Sequence, residues 1–288
     1  MGKLLKCITN DGAAVIIAAD TTDVVSRAEN IHKTSAVVTA ALGRLLTAAS
    51  IMGSMIKNPN GSVTLRVKGD GPVMGLTVVS DSNGNVRGYP VQNIVELPLN
   101  PKGKLDVGGA VGRGTLTVIR DDDKKEPYIG SVQLVSGEIA EDITAYYAIS
   151  EQIPTVCSLG VLVNPDLSVR KAGGFVLQLL PGADDKTITM IENAVKKLRS
   201  MTQMLEDSMS LLQICEAALD GFTIEVLEEK EVYYHCPCSK DRVEKALISC
   251  GKEDLLDMAK DEQTEMCCQF CDKKYVFTSK DILKLAKK

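Results

Sequence analysis

The segment HCPCSKDRVEKALISCGKEDLLDMAKDEQTEMCCQFCDKKY, residues 235–275, decides how the C-terminal part of this chain can fold. It sets Cys236 and Cys238 in a Cys-x-Cys pair and Cys268 and Cys271 in a Cys-x-x-Cys pair, with 29 residues between the pairs. Two close thiol pairs joined by a longer loop can wrap one ion tetrahedrally, the arrangement Zn²⁺ takes at structural sites. Thiolates are soft donors that select zinc over magnesium or calcium. Size argues the same way, because a unit of roughly 55 residues buries too little apolar surface to do without a staple. Bound zinc contributes about 10–16 kcal/mol of apparent binding free energy, which becomes folding free energy. Residues 233–288 are therefore expected to form a small module holding one Zn²⁺ through Cys236, Cys238, Cys268 and Cys271. Inside it, 240–260 reads as helical, with Val243, Ala246, Leu247, Leu255, Leu256 and Met258 at apolar positions. Tyr275 to Phe277 reads as a short strand and 279–287 as a closing helix.

His235 could replace one thiolate, and Cys267 could stand in for Cys268. Four cysteines already complete the shell, however, and Cys-x-x-Cys is the better chelate. Lys240, Arg242, Lys273 and Lys274 flank the pairs and would either offset the net charge of about −2 on a four-thiolate zinc site or form a solvated face. Spacing leaves two roles open. One is a permanent structural knuckle. The other is a sensor, since oxidised thiolates no longer hold zinc and the module then loses its main source of stability. The pairs are near enough in sequence to oxidise as Cys236–Cys238 and Cys268–Cys271, the first closing a tight ring.

Toward the N-terminus the pattern changes. Apolar runs at 3–9 and 13–19 flank Asn10-Asp11-Gly12, a hairpin signal. Thr22 or Asp23 is placed to cap a short helix, and Thr34 a longer one running to about Lys57, with Val38, Leu42, Leu45, Leu46, Ala49 and Met52 at helical spacing. Strands are predicted at 62–68, 73–80, 85–91, 115–120 and 127–135, with a Gly- and Pro-rich connection at 98–114. A helix at 138–151 and strands at 155–163 and 170–180 follow. Strands with inserted helices predict an α+β domain with a largely antiparallel sheet over 1–182. Pro181-Gly182 marks a boundary, after which 184–199, 202–207 and 209–219 read as helices carrying Met190, Met201, Met204 and Met209. Such a Met-rich stretch is ordinary core, or a surface able to release its contacts. Residues 221–232 include a strand-like apolar run, so 183–232 is expected to be mostly helical.

The 288 residues carry 44% hydrophobic and 25% charged side chains and a formal charge of −5, ordinary for a soluble globular protein and unlike a phosphate-backbone binder. The N-terminal MGKLLKCITNDG lacks an apolar signal-peptide core, and there is no run of about 18 apolar residues, so a cytoplasmic protein with no membrane span is expected. Nine cysteines without an export signal point to reduced thiols. Cys7, Cys157, Cys215 and Cys250 read as small buried hydrophobes.

The stretches ALGRLLTAAS (41–50), GDGPVMGL (69–76), GNVRGY (84–89), YIGSVQLVSGEIAEDITAYYAISEQIP (128–154) and SLGVLV (158–163), together with the Cys-x-Cys and Cys-x-x-Cys pairs, resemble the heat shock protein 33 (HslO) family of redox-regulated holdase chaperones. The match extends over essentially the whole chain, with the doubled Cys267-Cys268 as a local departure. The resemblance implies an N-terminal domain, 1–182, that binds unfolded client proteins and dimerises, a metastable linker over 183–232, and a zinc switch in 233–288. It implies that oxidation to the disulfides Cys236–Cys238 and Cys268–Cys271 releases zinc, unfolds the linker and activates ATP-independent client binding. The active form would be a homodimer handing clients to ATP-dependent chaperones.

Other functions find less support. The two histidines, His32 and His235, give no Ser-His-Asp or Cys-His arrangement, and the Gly108 to Gly114 run lacks the form of a dinucleotide or phosphate loop, so no enzyme is expected. The tail lysines 273, 274, 280, 284, 287 and 288 would suit a nucleic-acid-binding zinc ribbon, but Asp257, Asp261, Glu262 and Glu265 oppose that reading.

Overall fold

In the computed structural model, which describes residues 1–123 and 126–287, the chain forms two compact units, Met1–Tyr234 and His235–Lys288. Residues 183–232 pack within the first unit. Lys288 lies outside the described residues.

The first unit opens with the hairpin β1 (Gly2–Thr9) and β2 (Ala14–Asp20), followed by α1 (Thr22–His32) and α2 (Ala36–Ser54). Then come β3 (Ser62–Gly69), β4 (Gly75–Asp81), β5 (Val86–Pro90), α3 (Val107–Val111), β6 (Gly114–Asp121) and β7 (Tyr128–Gln133). Helix α4 (Ala140–Tyr146) runs into a π-helical turn, Tyr147–Glu151, before β8 (Thr155–Val163) and β9 (Val169–Leu179). Three short helices, α5 (Asp185–Lys197), α6 (Met201–Glu206) and α7 (Leu211–Ala218), precede β10 (Ile224–Val232). Two five-stranded antiparallel sheets result, ordered β10-β1-β2-β9-β8 and β5-β4-β3-β6-β7.

Helix α2 organises the core. It is long and apolar enough to cross a membrane by length and composition alone, yet 89% of its apolar window is buried, against strands of both sheets. An all-round apolar helix is stable in water only when enclosed in this way. It begins at Ala36 and ends at Ser54, inside the predicted 34–57. Ser35 is the N-cap residue, and the Thr34 hydroxyl instead meets that of Thr39 at 2.6 Å.

The first sheet is buried on both faces, and its strands divide their side chains with period two. Leu4, Ile17, Ala19 and Val176 point into the α2 core, while Leu5, Ile16, Ala18, Phe175 and Leu177 point into a second core. That second core is closed by Ile191 of α5, Met201, Met204 and Leu205 of α6, and Ile214 and Ala218 of α7. The Met-rich helices thus cover one face of the sheet, and β10 pairs with β1 at its edge. Beyond β10, Tyr233 O accepts from Val86 N at 2.9 Å, and the Tyr234 hydroxyl donates to Gly88 O at 2.8 Å, so the same segment also grips the second sheet.

A buried carboxylate holds the turn into α4. Asp142, 1% exposed, accepts from the backbone N–H groups of Val135 (2.7 Å), Ser136 (3.1 Å), Gly137 (3.3 Å) and Ile139 (2.9 Å). Those bonds keep Ile139 at φ 71°, a region β-branched residues avoid. Removing the carboxylate strands the four donors. Asp142→Ala is expected to destabilise the protein by about 3 kcal/mol or more, read from the shift of the urea unfolding midpoint.

Candidate metal centre

The second unit contains α8 (Lys240–Cys250), α9 (Lys252–Met258), β11 (Gln263–Cys267), β12 (Lys274–Thr278) and α10 (Ser279–Leu285). The single helical stretch expected at 240–260 breaks at Gly251, whose φ of 100° ends α8. Strand β11 was not foreseen, because its sequence QTEMC carries no apolar alternation. It exists because it pairs with β12, Gln263 opposite Thr278 through Cys267 opposite Lys274. The buried core consists of Leu247, Leu255, Tyr275, Phe277, Ile282 and Leu285, with Cys238 packed against it.

The two cysteine pairs sit on two loops. Cys236 and Cys238 lie between β10 and α8, where the Ser239 hydroxyl caps the helix by accepting from Arg242 N. Cys268 and Cys271 lie in the turn between β11 and β12. That turn is held by bonds from Cys268 N to Lys273 O (3.0 Å), Cys271 N to Cys268 O (3.2 Å) and Asp272 N to Cys268 O (2.8 Å). Asp272 adopts φ 57°, a left-handed conformation that Asp tolerates better than most residues. The turn brings the sulfurs of residues 268 and 271 to one side.

The four sulfur atoms all lie within 4.8 Å of one another. Across the loops, Cys236 Sγ is 3.7 Å from Cys268 Sγ, and Cys238 Sγ is 3.4 Å from Cys271 Sγ. A tetrahedral shell with Zn–S near 2.3 Å requires sulfurs about 3.8 Å apart, so the donor set fits such an ion in number, chemistry and spacing. Covalent S–S bonds are about 2.05 Å, and all nine cysteines are free thiols. The four sulfurs are half-buried, and neither His235 nor Cys267 belongs to the group. Cys267 is exposed, its sulfur 3.9 Å from Asp272 Oδ1.

The thiols are not equivalent. Burial pushes Cys236 up to about 11 and also raises Cys271. At Cys238 burial acts in the same direction, but it is outweighed by hydrogen bonds from the Tyr275 hydroxyl (3.1 Å) and the neighbouring sulfurs, which bring this thiol down to about 7. Cys238 is thus the first of these three to become a thiolate, the form that binds metal and attacks oxidants. Tyr275 pays no obvious sequence tribute to this role, being read only as a strand residue.

The flanking cations do less for the site than their positions suggest. Lys240 lies over the Phe277 ring at 5.2 Å, Lys273 over the Tyr275 ring at 5.3 Å, and Lys274 pairs with Glu265 at 2.8 Å. The scattered cysteines also divide. Cys7 and Cys215 are buried as expected and Cys157 partly so, but Cys250 is exposed on α8.

Comparison with known proteins gives one answer along the whole chain. The family model described as Hsp33 protein matches residues 2–278. The 33 kDa chaperonin of Acetivibrio thermocellus is 45% identical over 285 residues, covering 99% of this chain and 96% of that protein. The 33 kDa chaperonin of Lachnoclostridium phytofermentans is 47% identical, covering 92% and 91%. The crystal structure of a 33 kDa chaperonin, a heat shock protein 33 homologue from Thermotoga maritima, superposes with a TM-score of 0.92 at 35% identity, covering 99% of this chain and 97% of that one. Two-sheet fold, C-terminal sulfur cluster and sequence agree: the chain belongs to the Hsp33 chaperone family.

Proposed function

We propose that this chain is a redox-regulated holdase, held inactive while Cys236, Cys238, Cys268 and Cys271 bind one Zn²⁺ and activated when they are oxidised. The observation that carries the proposal is the convergence of four sulfurs from two loops within 4.8 Å. Bound there, the ion supplies a cross-link between the loops and most of the folding free energy of a module with only a small core. Hydrogen peroxide or hypochlorite takes two electrons from each thiol pair. One S–S bond forms per thiolate pair, and the oxidant, taking up protons from solvent, leaves as two waters from peroxide or as water and chloride from hypochlorite.

Which sulfurs pair decides the consequence. Joining Cys236 to Cys268 and Cys238 to Cys271 would keep the two loops tied, as the ion does. Disulfides Cys236–Cys238 and Cys268–Cys271 close each loop on itself and leave nothing between them, so only this pairing unfastens the module. Strand β10 is an edge strand ending at Val232, just before Cys236. Disorder in an unfolded module passes along the chain into Tyr234 and Tyr233 and then into that edge, and residues 183–232 become a metastable linker. Its short helices cover Leu5, Ile16, Phe175 and Leu177, and lifting them opens an apolar sheet face in 1–182 to unfolded client segments.

The active form is a homodimer in the cytoplasm, binds clients without ATP, and passes them to ATP-dependent chaperones after reduction. Ile129, Val135 and Ile149, each more than 60% exposed, add apolar surface that is present before opening.

Peroxide treatment of the zinc-loaded protein is expected to release the metal, read with a zinc-binding dye. In step with that release, aggregation of a heat-unfolded client, read by light scattering, is expected to be suppressed. Equal suppression by the reduced, metal-loaded protein would leave the cluster as a permanent structural clip. Replacing Cys268 and Cys271 with Ser is expected to make 183–232 sensitive to limited proteolysis without oxidant; unchanged resistance there would break the coupling between module and linker.

A further inference from the structure

Three segments distant in sequence meet at Tyr234, the last residue before the sulfur-bearing unit. Strand β5 is an edge strand of the second sheet, paired on one side with β4. Alternate residues of an edge strand turn their main-chain groups outward, away from the neighbouring strand. On β5 those residues are Val86 and Gly88. Val86 N donates to Tyr233 O at 2.9 Å, and Gly88 N to the Tyr234 hydroxyl at 3.3 Å. Gly88 O accepts from the same hydroxyl at 2.8 Å and lies 2.8 Å from His32 Nε2. A carbonyl oxygen only accepts, so His32 Nε2 carries the proton in this contact. His32 Nε2 is also 3.2 Å from the Tyr234 hydroxyl, which closes the triangle.

Two corners of the triangle are fixed. His32 is the last residue of α1 and is 6% exposed, and its carbonyl accepts from Asn93 Nδ2 at 2.8 Å. At Gly88 an added Cβ would meet Val78 at 2.6 Å and Leu46 of α2 at 3.3 Å, so the absence of a side chain lets β5 lie directly on the α2 core. Tyr234 is the third corner. It alone belongs to the segment that must come free when the switch opens.

We propose that His32, Gly88 and Tyr234 form a clasp that sets the threshold for releasing β10. As regulation this deepens the switch reading and rests on it; as a hold on β10 it does not. A strand at a sheet edge frays from its end, and without a stop every brief opening of the C-terminal module would run on into β10. The clasp is that stop. Freeing Tyr234 breaks its bonds to Gly88 and His32 together and strands Gly88 N in a part-buried site, which costs more than fraying an exposed pair. Short fluctuations of a metal-loaded module therefore end at Tyr234. Lasting loss of the module's fold keeps the residues beyond it disordered for long enough to undo the clasp, and β10 follows.

The hydroxyl of Tyr234 and the donor of His32 carry this role, so two substitutions isolate it. Tyr234→Phe keeps the ring and removes every bond to Gly88 and His32. His32→Leu removes the ring donor, and His32→Gln keeps a donor of similar reach. Full-length protein, reduced and metal-loaded, is compared by hydrogen exchange of the peptides covering 224–232 and 36–54, with zinc content and peroxide-driven zinc release measured in parallel. Exchange over 224–232 is expected to quicken by about tenfold or more in Tyr234→Phe and in His32→Leu, with most of the protection regained in His32→Gln. Exchange over 36–54, zinc content and the rate of zinc release are expected to match the wild type. The double variant Tyr234→Phe with His32→Leu is expected to be looser than Tyr234→Phe by less than His32→Leu is alone, because the two groups act on one contact.

Unchanged exchange over 224–232 in both single variants would overturn the clasp. So would equal quickening over 36–54, which marks a general loss of stability, and so would full additivity in the double variant. The threshold has its own readout: reduced, metal-loaded Tyr234→Phe is expected to suppress aggregation of a heat-unfolded client more than the reduced wild type does. A loosened β10 with no such gain, in a protein whose wild type peroxide does activate, would overturn the threshold. A loosened β10 in a protein that peroxide never activates would sink the switch reading and leave the clasp standing.

Discussion

Four sulfur atoms drawn from two loops into a space less than 5 Å across form the constraint on which the C-terminal unit depends. Thiolates at such spacing repel one another strongly unless a cation lies between them, and the apolar side chains around them are too few to hold the loops by themselves. With the proposed ion bound, coordination would order the unit more than burial does. The N-terminal unit is ordered the other way, by an apolar helix enclosed between two sheets. A single chain thus contains one part held by an extensive apolar core and one with a small core beside four converging sulfurs.

The contrast accounts for what could be read from the sequence. The cysteine spacing named the four clustered residues, since thiol pairs of this kind carry their geometry in their numbering. Strands such as Thr155–Val163 were legible as well, because β-branched runs between Pro and Asn leave little alternative. Less legible were features fixed by partners distant in sequence. QTEMC at 263–267 is a strand only because β12 runs beside it. The helices in 183–232 were legible by their pattern, but not which partners they meet: Met201, Met204 and Ile214 complete a core with Leu5 and Ile16. Tyr275 tunes Cys238 through a contact that a separation of 37 positions in sequence conceals. Nothing in the local sequence marks Asp142, which accepts from four backbone donors in the interior.

Burial on both faces makes the first sheet unusual for an antiparallel one, which commonly leaves a face to water. One face meets α2, and its contacts are spread over a long helix. The other meets three short helices, each contributing a few side chains, among them Met201 and Met204, whose flexible thioethers pack without demanding a unique fit. Such a cover can leave without breaking the core on the opposite side. Division of labour between the two faces of one sheet would let the short helices lift, as proposed, while the α2 core stays folded.

The segment at 224–234 adds a mechanical consequence. It lies along the outer edge of one sheet, then grips the other through Tyr233 and Tyr234, and it ends where the sulfur-bearing unit begins. A ribbon attached along an edge yields to disturbance at its end by unzipping, one pair of bonds at a time. A strand in the middle of a sheet would yield only by shear, with every bond strained together. Whatever disorders the residues after Tyr234 therefore works on this chain in its weakest geometry, starting at the seam between the two sheets.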